Sequence, residues 1–127
     1  MPKPVFTTDA PKPGGHYSQA VIHGNTIYVA GQLPIKPDTG EKVLGSIEEQ
    51  TRQTLQNVAA VVRAAGSEVD RIVKTTVFIS DIALWGRVNQ VYAEFFGEHR
   101  PARSVVPVKD LHYGFLIEIE AIAALDE

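Results

Sequence analysis

Cysteine is absent from the 127 residues, which removes disulfides, thiol nucleophiles and thiolate metal sites together. Long hydrophobic runs are missing as well, and nothing approaches the roughly 20 apolar residues of a membrane-spanning helix. The first fifteen residues, MPKPVFTTDAPKPGG, carry prolines where a secretory signal needs an apolar core. The expected location is therefore cytoplasmic, with no membrane partner. Charge of one sign is also scarce: 12 basic against 15 acidic residues leave a net charge of −3, without the basic footprint of a nucleic-acid binder. The four histidines, His16, His23, His99 and His112, have no paired spacing of the His-x-His or His-x-x-x-His kind, so no metal site is expected. Ser18, Ser46, Ser80 and Ser104 lack a Gly-x-Ser-x-Gly elbow. Gly14, Gly15 and Gly31 form no phosphate loop, and no nucleotide cofactor is expected.

What remains is an ordinary globular composition, 44% hydrophobic and 21% charged, with no internal repeat or linker. Residues 1–127 read as one domain, long enough to bury about two-thirds of its unfolded surface. Ser18–Ile22 and Thr26–Gly31 are β-type runs separated by His23, Gly24 and Asn25, a three-residue hairpin signal. Residues 32–45 hold Pro34, Pro37 and an Asp38-Thr39-Gly40 turn, and read as an ordered loop. Ser46 and Glu49 form a capping box ahead of Thr51, Leu55, Val58, Val62 and Ala65, a helical stripe that stops at Gly66. A strand over about 72–80 follows. Asp81 then opens a second helix whose Trp85, Val88, Tyr92 and Phe95 form a core stripe ending at Gly97. The order gives an α+β fold with both helices on one face of a mainly antiparallel sheet. The opposite face retains apolar residues, which suggests self-association into a closed ring.

The segment PARSVVPVKDLHYGFLIEIEAIAA, residues 101–124, carries the chemistry. Alternation places Phe115, Ile117, Ile119, Ala121 and Ala123 on one face of the last strand, and Leu116, Glu118, Glu120, Ile122 and Ala124 on the other. Arg103 opens the β-branched run Ser104-Val105-Val106, so Arg103 and Glu118 are expected on neighbouring strands. A guanidinium fork binds a carboxylate through two parallel hydrogen bonds, and a nearby carboxylate orients or deprotonates water. On spacing alone the pair reads equally well as a structural ion pair between strands.

GGHYSQAV, IYVAGQLPIKPDTGE, IVKTTVFISDI, VNQVYAEFF, RPARSVV and IEIEAIA together resemble the RidA/YjgF family of imine and enamine deaminases, in the family's order and across nearly the whole chain. The resemblance implies a chorismate-mutase-like α+β fold and a homotrimer with clefts between subunits. It also implies cofactor-independent hydrolysis of 2-imino or 2-enamino acids to 2-oxo acids and ammonia. Arg103 falls on the arginine that holds the substrate carboxylate, and Glu118 on the glutamate that positions the attacking water. Tyr17, Gly31 and Asn89 fall on cleft positions, and backbone near Gly31 and Val105 is implied to hold the remaining polar atoms. Departures are visible too. Val105 stands where many members have cysteine, Ala30 where many have serine, and Leu111-His112-Tyr113-Gly114 replaces Leu-Pro-Lys-Asp. The last change suggests that His112 and Tyr113 shift substrate preference toward bulkier or aromatic side chains. Some relatives have been described as ribonucleases, and a non-catalytic metabolite-binding trimer is the remaining alternative.

Overall fold

The computed structural model describes residues 1–125. Six strands form one sheet: β1 (Lys3–Val5), β2 (Ala20–His23), β3 (Thr26–Gln32), β4 (Ile72–Ile79), β5 (Ala102–Pro107) and β6 (Ile117–Ala124). Their spatial order is β1-β2-β3-β6-β4-β5, and every pairing is antiparallel except β4 with β5. Helices α1 (Ile47–Ala64) and α2 (Trp85–Phe96) complete the α+β architecture.

Helix α1 forms where the sequence signals it. Glu49 N–H donates to Ser46 Oγ at 3.1 Å, and the Glu49 carboxylate accepts from the Ser46 backbone, closing the capping box. Such a cap is worth about 1 kcal/mol. At the other end Gly66 takes φ 96°, while Gly66 N–H and Ser67 N–H donate back to Arg63 and Val62 carbonyls. A side chain at that φ is strained, which is why glycine stops this helix. Leu55, Val58, Val61 and Val62 are fully buried against Ile27, Ile119, Ala121 and Ala123 of the sheet. Each such side chain contributes about 1.5–3 kcal/mol.

Three local expectations are corrected. The hairpin loop has two residues, not three: His23 pairs with Thr26, and Gly24 at φ 62° makes the turn. Positive φ at the first loop position alone is the type II′ pattern, whose twist matches that of the strands. Asp81 caps a single 3-10 turn, Ile82–Leu84, through Ala83 N–H at 2.9 Å, and α2 starts after it. The buried stripe of α2 is Val88, Val91, Tyr92 and Phe96; Trp85 is 41% exposed.

Sheet register divides the side chains. Val29, Ala121, Thr75 and Arg103 lie in one row across the sheet on the helix-covered face. Glu118, Phe78 and Val106 form a row on the opposite face. That face also carries Tyr28, Ile122 and Glu120.

Candidate functional site

Arg103 and Glu118 are not on adjacent strands. Strand β4 runs between β5 and β6, and the two side chains leave opposite faces of the sheet, three residues apart in register. The sequence places each residue on a strand but contains no signal for the parallel insertion of β4 between them. The reading of a structural Arg103–Glu118 ion pair is overturned by the same topology.

Around Arg103 the structure builds a rigid cradle. Arg103 Nη1 donates to Asn89 Oδ1 at 2.9 Å. The guanidinium carbon lies 5.0 Å from the Trp85 ring centroid and 4.7 Å from that of Tyr92. Tyr92 is fixed in turn by a 2.7 Å hydrogen bond between its hydroxyl and Thr75 Oγ1 inside the core. Burial pushes the Tyr92 phenol above its usual pKa, and the Thr75 bond and the Arg103 charge oppose that rise. Among the described residues no carboxylate pairs with Arg103, and the Asn89 bond engages one of its five donors. Val105, two residues further along β5, shares this face and is half-buried against the core. Trp85 and Tyr92, expected in the core stripe of α2, both face the guanidinium. Their helical spacing with Asn89, at i, i+4 and i+7, puts a polar residue inside an aromatic stripe, and that was the available signal.

The second cluster surrounds Glu118. Its carboxyl is pushed above the usual carboxylate range, chiefly by burial, with Glu120 adding to the rise and His112 opposing it. Gly31 lies in a bulge, where the β3–β6 register shifts between Val29 and Gln32. A Cβ there would overlap the Glu118 carboxylate. The absent side chain is thus what lets the acid lie across the strand. Tyr17 is 49% exposed and its hydroxyl accepts from Gly14 N–H at 3.4 Å. Tyr17 and Gly31 border a cavity of about 410 Å3 that continues past His112 and Tyr113.

Two buried amides that the sequence did not single out hold the cavity walls. Gln19, 1% exposed, donates to the Thr7 and Pro11 carbonyls at 3.0 and 2.9 Å and accepts from Thr7 N–H at 2.7 Å. Asn57, equally buried, donates to the carbonyls of Leu33 and Ile35, both at 2.9 Å. Paired buried amides of this kind stiffen loops because breaking them strands polar groups away from water.

The expected site residues therefore fall into two groups on one chain: Asn89, Arg103 and Val105 on the helix face, and Tyr17, Gly31 and Glu118 around the bulge. Among the described residues no three His, Asp or Glu side chains cluster as a metal site, and no helix is long and apolar enough to cross a membrane.

The α+β fold is shared with proteins of known structure. Residues 7–125 match the family described as Endoribonuclease L-PSP. A RutC family protein of Pyrococcus horikoshii is 50% identical over 97% of this chain and 98% of its own length. The 2-iminobutanoate/2-iminopropanoate deaminase of Escherichia coli is 48% identical over 97% and 98%. The crystal structure of Escherichia coli TdcF with bound serine superposes with a TM-score of 0.92 at 42% identity, covering 96% of this chain and 98% of that one. The chain belongs to the endoribonuclease L-PSP family, the RidA/YjgF family its sequence resembles.

Proposed function

We propose that this protein hydrolyses reactive 2-imino and 2-enamino acids, without a cofactor, in clefts formed between copies of the chain in a homotrimer. The observation that carries the reading is Arg103: a guanidinium held by Asn89 and two rings, with no carboxylate partner among the described residues. Such a group is pre-organised to take a carboxylate through two donors. Two relatives at 43% and 48% identity carry the name 2-iminobutanoate/2-iminopropanoate deaminase, which supports the same chemistry.

Arg103 and Glu118 leave opposite faces of their own sheet, and a small acid has no reach across it. A second copy supplies the missing half. The face bearing Glu118 also bears Tyr28, 48% exposed, and Val106, 37% exposed, and apolar surface of this kind favours self-association. In the assembled cleft, Arg103 fixes the substrate carboxylate beside the imine carbon. Glu118 of the facing copy holds a water and accepts its proton as the oxygen attacks the C=N carbon. The tetrahedral intermediate then expels ammonia: R–C(=NH)–COO⁻ and water give R–C(=O)–COO⁻ and NH3. Because an imine is already electrophilic, positioning and a raised-pKa carboxylate suffice.

The test generates 2-imino acids in situ by oxidation of amino acids and follows their disappearance. Faster loss with protein than without supports the reading; RNA cleavage with no imine turnover would replace it by the activity in the family's description. Mixing Arg103→Ala and Glu118→Gln chains before assembly tests the shared cleft. Random mixing should restore about a quarter of the sites, each built from one intact half of either chain. No regain would place both groups' action within single chains and reject the cleft.

A further inference from the structure

Charge in the cavity beside Tyr17 and Gly31 runs against that of the chain. Lys12, Lys36, Lys42 and His112 line it, and no aspartate or glutamate does, although acidic residues outnumber basic ones overall. The lysines stand on fixed backbone. Lys36 and Lys42 lie on the two arms of a miniature hairpin, where Ile35 bridges Lys42 and Lys36 N–H donates to the Glu41 carbonyl at 2.9 Å. Asn57 ties this hairpin to α1, and Gln19 ties the segment carrying Lys12 to β2.

Lys42 is the most telling. Its Nζ lies 4.6 Å above the Tyr113 ring centroid. Tyr113 is the only non-glycine residue at positive φ among the described residues, at 58°, and its ring meets buried Phe115 edge-on at 5.7 Å. A strained backbone is therefore maintained where it sets a ring under an ammonium. A ring attracts the ammonium without supplying a counter-ion, so an incoming anion meets no competing carboxylate there. Lys36 is only loosely engaged, 3.7 Å from Glu41 Oε1 with both side chains well exposed.

We infer that this cavity binds an anionic side-chain terminus, making the preferred substrate a 2-imino acid with a second carboxylate. The inference rests on the imine-hydrolase reading for the reaction, and on the cavity alone for the charge. One carboxylate goes to Arg103 of the facing copy, the imine carbon lies at Glu118 and Gly31, and the distal carboxylate reaches the lysines. A neutral aromatic side chain would bury the ammonium groups without a counter-charge and displace Lys42 from its ring.

The experiment compares kcat/KM for imines made from glutamate, norvaline and phenylalanine, which differ at the side-chain end. The glutamate imine is expected to be favoured over the norvaline imine by roughly tenfold, expressed in KM. That preference should shrink to about twofold in a Lys12→Gln/Lys42→Gln double variant and weaken in high salt. Equal rates, a preference for the phenylalanine imine, or a preference untouched by the double variant would overturn the inference. If no imine is hydrolysed, the reaction assignment fails separately. Calorimetry with 2-oxoglutarate and 2-oxopentanoate then still reads the cavity: tighter dianion binding lost in the double variant upholds it, and equal affinity refutes it.

Discussion

The two halves of the candidate site are built on opposite principles. Arg103 projects from a strand onto a helix and is clamped by Asn89, Trp85 and a tyrosine locked to the core. Glu118 also projects from a strand, but it lies against the bulge at Gly31 and is felt by His112, which adjoins the positive-φ Tyr113. The first half has little freedom to change without disturbing α2 and β4. The second is set by segments that accept substitution at small cost to the fold. A binder for an invariant substrate group suits the first environment, and a selector for the variable part of the substrate suits the second.

Removing Arg103 should sharpen that contrast most. Two charge-assisted hydrogen bonds to a carboxylate are worth about 3–6 kcal/mol. Arg103→Ala is thus expected to lower kcat/KM by about a thousandfold, with the assembly intact by size-exclusion chromatography. Retained activity would remove the arginine from the mechanism. Gly31→Ala should cost less, about tenfold and mostly in kcat. The new methyl group displaces the Glu118 carboxylate, a flexible end that swings aside while the strand stays in place. A dissolved assembly instead of a slowed enzyme would show that Gly31 serves packing between copies.

The contrast also explains what the sequence could convey. Helix α1, both of its ends and the two faces of β6 follow from capping residues and apolar periodicity, which act over one or two turns of chain. The arginine and the glutamate were each legible as residues. Their placement was not, because strand order depends on long-range pairing that leaves no local mark, and β4 entered between their strands. Trp85 was misjudged for a related reason. Helical spacing locates a stripe, yet only packing decides that the stripe's first ring covers a guanidinium at the surface while Phe96 fills the core. The cavity walls rest on Gln19 and Asn57, buried amides whose partners lie up to 24 residues away and which read as ordinary polar residues.

The smallest expected effect is on stability, and it separates the halves by sign. Glu118 has a folded-state pKa above its ordinary value, mainly because burial disfavours the charged form. The native state therefore binds this proton more tightly than the unfolded chain does. Its stabilising contribution is complete below the ordinary carboxylate pKa and is lost as pH rises through the folded value. Glu118→Gln removes that titration. The variant should melt with the parent near pH 4 and about 1–2 °C above it at pH 8, the exposed part of the side chain keeping the difference small. Arg103→Ala has no such gain to offer, since it deletes contacts with two rings and leaves Asn89 Oδ1 without its donor. If Glu118→Gln instead lowers the melting temperature at pH 8, the carboxylate is paired with a cation from a neighbouring copy. The two halves would then be electrostatically coupled across the cleft before any substrate arrives.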